Sequence, residues 1–281
     1  MVRRDPVPIL LAVLGALACG LLLGLIPFLG ALLVTILGPV FQTGVCSVYR
    51  ALEQKRRASM DDFFLPAKTR LPQLLSLGAI YFVFCLVVFL MAGGIFLLLA
   101  WEDIQKLVGL AGTQVDNLDP EALRTFLESI KAQGQDVGPE IVEIVMSITV
   151  AFLWGLLVFF LLMCPVFMAY WFAPLLVAWN QLSLFRAFVF SFFAILKNWR
   201  AVLVYSLLWL VIGFVGGIVL GIFQVILLLL LPRLLAMLVI YLLLLPITIA
   251  LFALGIAGIY FGYKDVFSTA PEAKEKAEEA W

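Results

Sequence analysis

Six apolar runs limit what this chain can become: residues 8–28, 30–51, 72–100, 141–177, 200–231 and 234–262. The ~30 Å hydrocarbon core of a bilayer takes about 20 apolar residues as a helix. Inside it every backbone N–H and C=O must be paired within the protein, which leaves helices and closed barrels. Long unbroken runs favour helices. Composition points the same way, with 65% of residues hydrophobic and 13% charged. Soluble domains are roughly half apolar and a quarter charged. The expected fold class is therefore all-α: a polytopic membrane protein with six transmembrane helices within residues 1–264. The polar stretch 265–281 is expected to be a flexible cytoplasmic tail.

The first run follows "MVRRDP". Basic residues before an apolar segment suggest a signal peptide. More apolar sequence, "GLLLGLI", follows the small residues of "ALAC", so an uncleaved signal-anchor is expected. "PFLG" and "LPRL" are short links that make hairpins of the first and last pairs of runs. The 141–177 run would be roughly 55 Å long as one helix, well beyond the bilayer core. It is expected to cross once, bend near Pro165 and continue into the interface. Pro39, Pro165, Pro174 and Pro246 all sit within apolar runs and are the expected helix kinks. In lipid such prolines are tolerated because neighbouring groups satisfy the freed carbonyls.

Basic residues set orientation. Arg3 and Arg4 precede the first run. Arg50, Lys55, Arg56, Arg57, Lys68 and Arg70 lie around the second link, Arg186, Lys197 and Arg200 in the fourth, and Lys264, Lys274 and Lys276 in the tail. Six crossings place all of these on one side. Only Lys106, Arg124, Lys131 and Arg233 fall on the other. Both termini are therefore expected in the cytoplasm. The segment 101–140 is an acidic extracytoplasmic insertion. "DPEALRTFLESIKAQG" within it reads as a helix, with Asp119 as N-cap, Pro120 in the first turn and Gly134 at the end. Its face of Leu123, Phe126, Leu127 and Ile130 would lie on the membrane, cap the bundle or dock a partner.

"PVF" occurs at 39–41 and again at 165–167. Each copy precedes a mixed apolar and basic connector, then another long run, so an internal duplication is expected. Both connectors could form interfacial amphipathic helices. Phe63, Phe64 and Leu65, or Phe188, Phe192 and Ile195, would face the acyl chains. Arg56, Arg57, Lys68, Arg70, Arg186, Lys197 and Arg200 would meet headgroups.

The stretch "YWFAPLLVAWNQLSLFRAFVFSFFAILKNWRAVLVYSLL" (170–208), with "YFGYKDVF" (260–267) and "EQKRRASMDDFF" (53–64), resembles a family of bacterial inner-membrane proteins of unknown function. More remotely it resembles the membrane domain fused to some glycerophosphodiester phosphodiesterases, whose catalytic domain is absent here. The resemblance implies a six-helix protein of the bacterial inner membrane and carries over no catalytic residues.

Chemistry is sparse in the runs. The chain has no histidine, which removes the commonest general base and metal ligand. Cys19, Cys46, Cys85 and Cys164 lie in apolar runs without metal-site spacing, and read as small hydrophobes. Asp61 and Asp62 are neighbours, which point about 100° apart on a helix and make a poor catalytic pair. Glu143 and Arg233 lie near run ends, where they anchor at the interface. Gln42, Thr43, Ser47, Tyr205 and Gln224 are the candidate polar lining or helix–helix contacts. Gly213, Gly217 and Gly221 repeat at a spacing that lets helices approach closely. No catalytic residue, cofactor or metal site is expected. Zero net charge and the absence of a basic domain exclude nucleic acid as a partner. The expected role is non-catalytic, binding membrane lipids, a partner membrane protein or a second copy. The alternative is a transporter or channel for an apolar or amphipathic small molecule.

Overall fold

The computed structural model describes residues 7–27, 29–54, 57–115 and 139–267. The expected helix at 120–134, Arg56 and the tail after Phe267 lie outside them. The described residues form eight helices and no strand: α1 Val7–Gly24, α2 Leu29–Glu53, α3 Met60–Val115, α4 Pro139–Tyr170, α5 Ala173–Trp179, α6 Leu184–Lys197, α7 Trp199–Leu230 and α8 Arg233–Phe267. Six segments are long and apolar enough to cross a membrane: α1, α2, α3, α4 taken with α5, α7 and α8. They correspond to the six runs. α3 extends past its run, so residues 101–115 continue the helix.

The chain divides into two compact units, residues 1–82 with 167–281, and residues 83–166. In the second unit α3 and α4 pack antiparallel, because small residues let them approach. A Cβ on Gly155 would lie 3.0 Å from Phe96 Cβ and 3.3 Å from the Ala92 carbonyl oxygen. Phe96 meets Phe152 edge to face, and Ser147 Oγ donates to the Asp103 carboxylate. Ala92, Ala100 and Ala151 are buried along this seam.

In the first unit α1 buries Ile9, Ala12, Val13 and Ala16, a stripe at helical spacing. It packs on α2 and α8. α2 meets 60–82 of α3 at glycine: Gly44 lies under Phe63, and Gly78 lies against the Ile36 backbone. The backbone of α3 leaves helical geometry at Arg70 (φ −139°, ψ 25°), two residues before Pro72. It separates the connector helix at 60–69 from the long apolar helix that follows. The connector helix is capped at its start by the Asp62 side chain. The Asp62 carboxylate accepts from the Ser59 backbone N–H at 2.9 Å, while the Asp62 N–H donates to the Ser59 carbonyl at 3.1 Å. Asp62 is therefore a buried cap, and Asp61 pairs with Lys68 at 2.9 Å on the surface.

The hub of this unit is α5. Ala173, Pro174, Leu175, Leu176 and Val177 are all less than 2% exposed. α4 continues as helix through Pro165 and stops at Tyr170. Pro174 explains the stop. It has no N–H for the Tyr170 carbonyl, and its ring crowds the carbonyl four residues back. Pro174 thus starts α5 instead of kinking a longer helix, and α5 enters the core, not an interface. α2 and α8 likewise run on through Pro39 and Pro246.

A break of this kind strands backbone groups in an apolar surrounding, where each costs free energy unless paired. Two side chains from other helices take them up. Ser191 Oγ on α6 accepts from the Phe172 N–H and donates to the Met168 carbonyl, both at 2.9 Å. Gln42 Nε2 on α2 donates to the Trp171 carbonyl at 3.2 Å. This sets which face of α6 turns inward: Ala187, Ser191 and Ile195 are buried, and Phe185, Phe190, Phe193 and Leu196 are exposed. The expected outward face of Phe188, Phe192 and Ile195 is corrected accordingly, because the backbone break demands a hydroxyl inside. Phe63 of the first connector also turns into the core, while Phe64 and Leu65 stay outside. The two "PVF" copies differ in the same way. The first lies in a helix that continues to Glu53, and the second is followed by the break.

α7 buries no residue at all. A Cβ on Gly213, Gly217 or Gly221 would meet nothing within 4 Å.

Ser191→Ala is expected to lower stability in detergent by about 1–3 kcal/mol, because Phe172 N–H and Met168 C=O lose their partner. Denaturant unfolding followed by tryptophan fluorescence reads this, with Ser76→Ala on the surface as a control expected within about 0.5 kcal/mol of the parent. Gly78→Ala would bring a Cβ within 2.2 Å of the Ile36 carbonyl oxygen. It is expected to cost about 1–3 kcal/mol in the same assay, whereas Gly217→Ala gains up to about 1 kcal/mol from helix propensity.

Candidate functional site

The polar groups of the first unit concentrate where α2 and α8 end and α5 turns toward α6. A recess of 450 Å³ opens there, lined by Arg50, Glu53 and Gln54 from α2, Trp179 and Asn180 from the end of α5, and Tyr260, Tyr263, Lys264 and Phe267 from α8. A second recess of 440 Å³ shares Arg50, Gln54 and Trp179 as a wall. It adds Ser47, Asp62, Thr69, Arg70 and Gln181.

The helices reach this point for separate reasons. Arg50 occupies the last turn of α2, where the carbonyl ends of the helix favour a cation. Trp179 ends α5, so the buried hub holds it in place. Asn180 closes α5 with its N–H on the Leu176 carbonyl at 3.1 Å. Gln181 then adopts a left-handed backbone, φ 54°, unusual for a residue with a side chain. α8 brings Tyr260, Tyr263, Lys264 and Phe267 to one side, at three- and four-residue spacing.

The side chains are interlocked. Trp179 packs edge-on against Tyr260 and Tyr263, with ring centroids 6.0 and 5.3 Å apart. Tyr49 stacks on Tyr260 and donates to the Ala253 carbonyl at 2.9 Å. Tyr263 donates to Asn180 Oδ1. Glu53 accepts from the Tyr260 hydroxyl at one carboxylate oxygen and from Lys264 Nζ at the other. The Arg50 guanidinium lies 5.0 Å from the Trp179 ring centroid, a cation–π contact that leaves its N–H fork available. Among the described residues Arg50 forms no ion pair. The carboxylates on the two recesses are occupied, Glu53 by Tyr260 and Lys264, and Asp62 by Ser59. The arrangement presents cations and amides to an anion.

The residues expected from sequence distribute differently. Gln42 is a structural tie to Trp171, and it also borders an apolar groove of 450 Å³ between α1, α2 and α8. Thr43 Oγ1 bonds to the Pro39 and Val40 carbonyls at 2.7 and 3.1 Å. Ser47 Oγ bonds to the Thr43 carbonyl at 2.9 Å. Both hydroxyls thus serve their own helix, although Ser47 also reaches the second recess. Tyr205 lies over Gly258, donates to the Gly255 carbonyl at 3.3 Å, and borders a separate 280 Å³ recess. Gln224 is exposed on α7, so Gln42 and Gln224 do not share a lining. Of the basic residues expected at headgroups, Arg70 alone among the described ones joins the site. Lys68 is paired with Asp61, Arg57, Arg186 and Lys197 are exposed, and Arg200 lies over the Trp199 ring at 5.6 Å.

Sequence reasoning missed Glu53, Trp179, Asn180, Tyr260 and Tyr263 as site residues, and took Arg50 and Lys264 only as orientation signals. One usable signal was present: aromatic and polar residues gather at the basic end of the runs around 49–54, 179–181 and 260–267. No protein-family model matches this chain, and neither a curated protein nor a solved structure matches it.

Glu53→Ala strands Lys264 and Tyr260. Because the pair is partly exposed, the expected loss of stability is about 1 kcal/mol. Adding Lys264→Ala to it is expected to cost less than the sum of the single changes, as a double-mutant cycle in detergent will read.

Proposed function

We propose that this protein crosses the bacterial cytoplasmic membrane six times with both ends inside, and that it binds the phosphate of an anionic lipid headgroup at the Arg50 recesses without catalysing a reaction. The observation that carries this reading is the Arg50 guanidinium, held over Trp179, unpaired by any described carboxylate and open to two polar recesses. Basic pockets between membrane helices on the cytoplasmic side suit anionic headgroups. The exposed apolar surfaces of α7 and α8 support a lipid surrounding; Leu229 and Leu234 are 81% and 85% exposed. A monomer in water rarely tolerates such patches. The bacterial assignment rests on the resemblance of 170–208 and 260–267 to inner-membrane proteins. The non-catalytic reading rests on the absence of histidine and on site carboxylates already taken up by their own donors.

A second reading, passage of an apolar or amphipathic small molecule, draws on the groove between α1, α2 and α8. Gln42 in that groove is already committed to Trp171, which favours the first reading.

The test is native mass spectrometry of protein purified from nanodiscs of phosphatidylcholine with phosphatidylglycerol. The parent is expected to retain phosphatidylglycerol preferentially. Arg50→Gln should weaken that retention about fivefold, corresponding to roughly 1 kcal/mol for one basic residue near the surface. Equal retention of both lipids by the parent, or no change with Arg50→Gln, would contradict the proposal. Co-purification of a stoichiometric protein in place of lipid would point to a partner subunit instead.

A further inference from the structure

We infer that the ligand of this site carries two phosphate groups on one molecule, one for each recess, with Arg50 between them. The inference rests on the headgroup-binding reading above and narrows it to a class of ligand. One phosphate would be served by Arg50 and a single cavity. The structure instead has two recesses of nearly equal size, 450 and 440 Å³, on either side of one wall made by Arg50, Gln54 and Trp179.

Each recess adds one further basic side chain to the shared arginine: Arg70 in the second, without an ion pair among the described residues, and Lys264 in the first, where it is paired with Glu53. Each also contains one carboxylate, and both are already engaged. Glu53 accepts hydrogen bonds from Tyr260 and Lys264, and Asp62 caps the Ser59 N–H. Neither carboxylate is therefore poised to repel a second anion as an unscreened charge. Arg70 is half-buried, forms no ion pair among the described residues, and sits at the non-helical point of α3. That kink places it on the recess. Gln181, in its left-handed conformation, lines the same cavity. Strained backbone of this kind persists where the surroundings over-determine it, commonly at ligand sites. A planar guanidinium can bind oxygens of two phosphates through its separate N–H edges, so Arg50 suits the bridging position.

Two linked phosphates occur in dimeric phospholipids and in soluble diphosphates. The experiment uses the full chain in phosphatidylcholine nanodiscs with either diphosphatidylglycerol or a phosphate-matched amount of phosphatidylglycerol, with and without inorganic pyrophosphate. Native mass spectrometry reads the lipid retained. The parent is expected to retain diphosphatidylglycerol at least tenfold over phosphatidylglycerol. Arg70→Gln should reduce that preference below threefold while changing phosphatidylglycerol retention less than twofold. Lys264→Gln, checked for an unchanged melting transition, should do the same from the other recess. Displacement of the lipid by pyrophosphate would support the two-phosphate site with a soluble source; resistance to it would support the lipid source. Equal retention of the two anionic lipids, still sensitive to Arg50→Gln, would overturn the two-phosphate inference and leave headgroup binding standing. No anionic preference in the parent would overturn both.

Discussion

A helix that stops inside an apolar core must place its loose backbone groups somewhere. Here the break between α4 and α5 is closed by Ser191 and Gln42, which together bind Met168 C=O, Phe172 N–H and Trp171 C=O. Much of the first unit follows from that closure. It ties α2 and α6 to the break, fixes which side of α6 faces inward, and lets residues 173–177 of α5 sit buried among their neighbours. In water a solvent molecule would serve these groups. In hydrocarbon the protein has to supply the partners itself, which is why mild polar residues recur in otherwise apolar segments.

The same closure builds the site. α5 is short because Pro174 starts it and Asn180 ends it, and its last residue is Trp179. A rigid, buried α5 therefore holds an indole ring under Arg50 and against Tyr260 and Tyr263. Glu53 ties α2 to α8 through Tyr260 and Lys264. The cation is thus positioned by packing, with no ion pair among the described residues, as the proposed headgroup site requires. Binding sites gain from such preorganisation because less motion is lost when the ligand arrives.

The all-helical class and the six long apolar helices were legible in the sequence because the length and apolarity of each run are local properties. The separation of the first connector from the run beginning at 72 was legible too. The position of the α4 break was not. Pro165 and Pro174 look alike in sequence, yet α4 runs through the first and stops before the second, and it is beside the second that Ser191 and Gln42 reach the opened backbone. Ser191 was invisible for the same reason: it stands alone in "FVFSFFAIL", and only the break gives it a task. The inward face of α6 was misread because its large apolar residues were assigned to the acyl chains, whereas pairing of the broken backbone turns Ser191 inward and brings Ala187 and Ile195 with it. The Arg50 site escaped because its members come from three distant segments, each of which reads singly as an ordinary basic or aromatic membrane boundary.

The proposed lipid site requires that hydrocarbon surround the long helices and that the Arg50 end face the cytoplasm. Side-specific maleimide labelling of Arg57→Cys and Glu102→Cys in intact and permeabilised cells tests it most directly, with the unsubstituted chain as background. The account requires Glu102→Cys to label in intact cells and Arg57→Cys only after permeabilisation. Labelling of both from the same side would contradict it.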